Sequence, residues 1–176
     1  MAAASLTVGA AALVVVSAVA LQPDSVRTIQ LKGSYVIVER ESDDDGKSQR
    51  DNVTVRADSG DVQSKSTCVL DEQGSYDQLV EFFTRLTNAV DTGDSTAVAA
   101  LARFPLRVNG AGTREIRNAA ELRTQYDRVF IAKVVSSIRA ADPHVVFCRR
   151  GSAMIGQGVV WANLERGRIS FHVVNQ

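Results

Sequence analysis

The chain has 176 residues, with Lys plus Arg equal to Asp plus Glu at 20 each. That balance, with no basic stripe, argues against nucleic acid as a partner and gives no field that would draw the chain onto an anionic membrane. Hydrophobic residues at 45% and charged residues at 23% are globular values, which exclude a largely disordered chain.

No charged side chain occurs from Met1 to Gln22, and Leu6 to Leu21 is apolar apart from Thr7, Gly9 and Ser17. Ala18-Val19-Ala20 offers the small residues a signal peptidase needs, so residues 1–20 are expected to be a signal peptide and the chain exported, periplasmic or secreted. Because the n-region carries no Lys or Arg and the apolar run approaches the ~20 residues that span a bilayer, the alternative is an uncleaved anchor over residues 2–21. Membrane is a partner only in that case. No Cys stands near Ala20, so a lipidated N-terminus is not expected. The remainder, about 155 residues, is the size of one domain with one core.

Residues 21–74 read as an N-terminal β-hairpin and a linker. Val26 to Glu39 is β-branched and partly alternating, a strand; Asn52 to Ala57 is a second, returning antiparallel. Between them Arg40 to Asp51 is a polar tip. Glu41, Asp43, Asp45 and Gly46 imitate the opening of a calcium loop, but Asn52 stands where the bidentate Glu belongs, so the tip is expected to be solvated and metal-free. Asn52-Val53-Thr54 matches a glycosylation sequon, a pattern too short to carry weight. Asp58 to Gly74 is Ser-, Asp- and Gly-rich and reads as a linker, with Cys68 in its one apolar island.

Residues 75–176 alternate helical and extended patterns. Ser75 caps a helix bearing Leu79, Phe82, Phe83, Leu86 and Val90 on one face, and Asp94 or Ser95 caps a shorter one that ends before Pro105. Pro105 to Asn109 and Arg114 to Asn118 flank Gly110-Ala111-Gly112 as a hairpin. From Asn118 or Ala119 a third helix runs through Leu122, Tyr126, Val129, Phe130, Val134 and Ile138 to a stop at Asp142-Pro143. His144 to Cys148, the long run Ser152 to Leu164, and Ile169 to Asn175 complete an antiparallel meander.

In an exported chain Cys68 and Cys148 are a disulfide candidate, the alternative being two buried thiols. They are too few for a metal site, His144 and His172 lack zinc-ligand spacing, and no cofactor motif occurs, so neither metal nor cofactor is expected.

Phe104-Pro105-Leu106, Tyr126-Asp127-Arg128-Val129-Phe130 and the phrase from Met154 to Trp161 before a closing strand, in the order helix, helix, hairpin, helix, meander, resemble the nuclear transport factor 2-like superfamily. Its members include ketosteroid isomerases, SnoaL-like cyclases and small exported bacterial proteins. The resemblance implies an α+β cone with three helices packed on a strongly curved antiparallel sheet, here preceded by the extra hairpin, and a pocket inside the cone. It also implies a homodimer through the sheet as one way to cover the outer face, the alternative being the N-terminal hairpin of Ser34 to Ala57 folding back onto it.

Read as one continuous strand, Ser152 to Leu164 puts Ala153, Ile155, Gln157, Val159, Trp161 and Asn163 on one face. Gln157, Trp161 and Asn163, with Tyr126 and His172, are therefore the candidate pocket residues. Acid–base chemistry would draw on Asp127, Tyr126, His144 or His172, but neighbouring Tyr126 and Asp127 diverge on a helix, and no nucleophile, base and orienting group assemble. No catalytic residue is assigned. Arg107 is a surface arginine or an anion contact. The functions in play are a non-catalytic module binding a small molecule or protein, an isomerase-, dehydratase- or cyclase-type enzyme, and a membrane-anchored assembly domain of an envelope complex.

Overall fold

The computed structural model describes residues 25–42, 49–68, 76–149, 151–165 and 168–176. The signal or anchor expected over residues 1–20, the helix cap at Ser75 and the tip of the calcium-like loop lie outside them. Among the described residues no helix is long and apolar enough to cross a membrane. The fold is α+β, with two sheets and helices enclosing a common core.

The first sheet has four strands in the order β1 (Ser25–Gln30), β2 (Ser34–Ser42), β3 (Gln49–Ala57), β4 (Val62–Cys68), all antiparallel. Val36 pairs with Val55 and Val38 with Val53, all four at most 2% exposed. Alternation therefore turns one face inward and leaves the other polar. Two expectations are corrected here. Val26–Glu39 is two strands rather than one, because Gly33 takes φ +78° and lets the chain reverse at Leu31–Ser34. The segment expected as linker holds β4, whose sequence of Gln, Ser, Lys and Thr lacks an apolar alternation because it is an edge strand with little to bury.

The second sheet has six strands in the order β6-β5-β10-β9-β8-β7, where β5 is Ala102–Asn109, β6 Thr113–Ile116, β7 Phe147–Arg149, β8 Ser152–Ile155, β9 Val160–Glu165 and β10 Arg168–Asn175. Only β5 and β10 pair in parallel. Helix α1 (Tyr76–Asp91) buries Tyr76, Leu79, Phe82, Phe83, Leu86, Ala89 and Val90, the face its 3.6-residue period marks. Helix α2 (Ser95–Leu101) is capped by Asp94, which accepts from the N–H groups of Thr96 and Ala97. The expected third helix is three short ones, α3 (Ala119–Thr124), α4 (Tyr126–Val129) and α5 (Ala132–Ala140), with Asn118 capping the first through Glu121 N–H.

The run Ser152–Leu164 is not one strand. Ile155 pairs with Val160, Met154 with Trp161, Ala153 with Ala162 and Ser152 with Asn163, so β8 and β9 form a hairpin. Its loop is Gly156–Val159, in which Gly156, Gln157 and Gly158 take φ of +61°, +56° and +88°. Two glycines make three successive left-handed residues accessible, with Gln157 the one that bears a steric cost. Its backbone is pinned by Val159 N–H to Gly156 O at 3.2 Å and by the Trp161 indole to Gly158 O at 3.1 Å.

Candidate functional site

The β8–β9 reversal redistributes the expected pocket residues. Across the second sheet, Cys148, Ala153, Ala162, Phe171 and Ala102 form one cross-strand row, all buried. This row faces the helices. The Phe130 ring meets Phe171 edge-on at 6.3 Å and Tyr126 stacks on Phe130 at 5.0 Å, so aromatic packing occupies this part of the interior. The Tyr126 hydroxyl is buried without a hydrogen-bond partner, and burial, then the nearby Asp127 charge, pushes its pKa up. Asp127 itself is exposed.

The opposite face carries the row Phe147, Met154, Trp161, Val173, Arg107 and Glu115. Alternation puts Asn163 and Ser170 on this face too. His172 stands at the register shift between Phe171 and Val173, its Nδ1 buried without a partner; burial and the positive charge of Arg103 hold its pKa below the ordinary histidine value. Five residues were expected to meet. Instead Tyr126 is on the helix side, Trp161 and Asn163 are on the outer side, His172 sits in the register shift of β10, and Gln157 is exposed on the loop. They do not assemble into a reaction centre, and the phase that grouped Gln157 with Trp161 is corrected by the loop between them.

The two sheets meet at β4 and β7, and the Cys68–Cys148 disulfide joins them with 5.1 Å between Cα atoms. Above it, the first sheet is fastened to α1. Asp51, with 0% exposure, accepts from Arg40 Nε at 2.8 Å, from a second Arg40 nitrogen at 3.0 Å and from Tyr76 N–H at 2.9 Å. Burial pushes this carboxyl up, but the Arg40 bonds, the Tyr76 N–H and the charges of Arg40 and Arg27 outweigh it and hold the pKa below the usual range. Arg27 adds an ion pair with Asp77 and lies 5.4 Å over the Tyr76 ring.

Below the disulfide the two units part. The groove between them has a volume of about 570 Å³ and is walled by Val55 and Ser64 of the first sheet, Ala140 and Val145 of the α5–β7 segment, and Phe147 and Met154 of the second sheet. Gln157 stands on its lip, and Asp142 is its one charged lining residue among the described residues. Asp142 Oδ1 accepts from His144 N–H at 2.9 Å and lies 2.8 Å from His144 Nδ1. This turn explains both residues without chemistry, since a carboxylate two residues before a backbone N–H closes a turn. Apolar walls with a few polar groups at the margin suit a bound ligand better than proton transfer.

Sequence reasoning missed this groove because β4 carries no strand pattern and because Val145 and Phe147 fall within the expected strand His144 to Cys148 with nothing to mark them. The Gly156-Gln157-Gly158 triplet was the available signal, since Gly-x-Gly inside an extended run marks a turn as readily as a bend. Among the described residues no group of three or more His, Cys, Asp or Glu side chains could hold a metal ion. No family model, curated protein or solved structure matches the chain.

Proposed function

We propose that this chain is an exported, non-catalytic binding module on a nuclear transport factor 2-like cone, and that its ligand site is the groove between the two sheets. The strand order β6-β5-β10-β9-β8-β7, with β5 and β10 parallel and helices on one face, supports the cone. The disulfide supports export, because such bonds persist in oxidising compartments. The groove is the observation that carries the binding reading. It is lined more by apolar than by polar surface, has a volume of about 570 Å³, and lies between two units that are fastened on one side by Cys68–Cys148 and Asp51.

The test is a fluorescence titration with 1-anilinonaphthalene-8-sulfonate. Wild-type protein is expected to bind the dye saturably, and Ala140→Trp, which fills the groove from an exposed position on α5, is expected to abolish that binding while the far-ultraviolet circular dichroism stays unchanged. Dye binding that persists in folded A140W places the ligand elsewhere and overturns this assignment.

Trp161 and Val173, partly buried and outside the groove lining, favour a second reading for the outer face, a homodimer through the sheet. A sedimentation mass that is dimeric in wild type and monomeric in Val173→Glu supports it; a monomeric wild type overturns it.

A further inference from the structure

We infer that the groove takes an extended polypeptide segment, added as a fifth strand on the open edge of β4 with a basic group directed at Asp142; this rests on the groove being the binding site. β4 is the end of its sheet, paired only with β3. In an antiparallel strand every second residue turns its N–H and C=O away from its neighbour. From Val62 to Thr67 those outward groups meet no further backbone partner among the described residues.

The strand that lies beside this edge is too short to cover it. β7 has three residues against the seven of β4, and Cys148 sits next to Cys68, at the far end of β4. The disulfide thus fixes the separation of the two edges where they touch, and the half of β4 bearing Gln63 and Ser64 runs on alone along the groove. Exposed edges of this kind are templates for strand addition. Lys65 lies on the other face, since Ser64 and Ser66 pair with the inward Val55 and Val53, so its charge guards the solvent side and leaves the groove side open.

The walls set the side chains that fit. Alternate residues of an added strand would point toward Val145, Phe147 and Met154 and toward solvent, so small apolar residues at every second position fill the groove. The charge sets the end group. Among the described residues Asp142 is the one acidic or basic side chain in the lining, and its Oδ2 accepts no hydrogen bond there, so a Lys or Arg is complementary and a Glu or Asp is not.

The probes are three synthetic peptides, acetyl-Lys-Val-Thr-Val-Thr-Val-amide, the same peptide with Glu for Lys, and the Lys peptide N-methylated at alternate bonds, each also made with the charged residue last. They are titrated by calorimetry against the full oxidised protein. The Lys peptide in one of its two orders is expected to bind wild type and not A140W. N-methylation, which removes strand donors without removing side chains, is expected to weaken binding at least about tenfold. The Lys peptide is expected to exceed the Glu peptide by about threefold in wild type and by nothing in Asp142→Asn.

If the dye binds and is excluded by A140W while neither order of the Lys peptide binds, strand addition is wrong and the groove is a small-molecule site. If neither dye nor peptide binds, the groove assignment falls with it. Equal binding of the methylated peptide overturns the strand geometry without recourse to any protein variant.

Discussion

Asp51 of β3 accepts the backbone N–H of Tyr76 at 2.9 Å, so a carboxylate from one sheet closes the first turn of the helix that covers the other. Helix starts leave N–H groups without intrahelical partners, and an anion there also meets the positive end of the helix dipole. Here the cap is not local in sequence: 25 residues separate the two partners.

Removing this carboxylate should loosen the junction between the sheets. Asp51→Ala is expected to lower stability by about 2–3 kcal/mol, since it strands both the Tyr76 N–H and Arg40. Because the folded pKa of Asp51 lies below its unfolded value, its contribution is complete above about pH 4 and disappears as pH falls through the folded pKa. Urea unfolding at pH 7 and at successively lower pH should show a large difference between wild type and variant at the first that shrinks as the pH falls.

The disulfide closes a sequence separation of 80 residues. In the chain-entropy model its loss costs on the order of 4–5 kcal/mol. The double variant Cys68→Ser, Cys148→Ser should therefore unfold at much lower urea, and wild type in reductant should follow it once unfolded. Intact mass of protein from an exporting host, with and without reductant, reads the bond directly and also tells whether the chain begins after Ala20.

His172 titrates in the opposite protonation sense from a paired histidine. Its folded pKa is below the unfolded value, so as pH falls the unfolded chain takes up the proton first, at about pH 6.5. Stability is complete above that pH and declines through the window down to the folded pKa. His172→Gln should flatten the decline, and the ring protons of His172 should titrate below those of an unfolded histidine in nuclear magnetic resonance. Coincident titration would contradict the burial of Nδ1.

Gln157 bears φ of +56° where its neighbours are glycines. Gln157→Gly should stabilise the protein by roughly 0.5–1 kcal/mol by relieving that conformation. Gly158→Ala should do the reverse, because φ is +88° and a Cβ would stand 3.3 Å from Met154 Sδ. Thermal melts of the two variants, moving in opposite directions, test the loop.

The first two helices and the start of α3 were legible because Leu79, Phe82, Phe83, Leu86 and Val90 keep one period and because Asp94 and Asn118 announce the caps that the structure shows, whereas the breaks that divide α3, α4 and α5 were not. The β5–β6 hairpin was legible from Gly110-Ala111-Gly112. What escaped was wherever pairing, not side-chain pattern, defines the strand. β4 alternates polar with polar, so only its ladder with β3 reveals it. In β8 and β9 the apolar run continues through the turn, and Val159 disguises the reversal. Every facing assignment beyond Gly156 shifted with it, which is why the expected pocket dispersed and, of its five residues, Gln157 alone lines the groove.

Cys68 and Cys148 also bracket α1 to α5, β5, β6 and the start of β7 within one covalent ring. A single proteolytic cut anywhere between them in sequence opens that ring without dividing the molecule. A chain nicked there stays one covalent molecule until it is reduced, and both walls of its groove stay tethered.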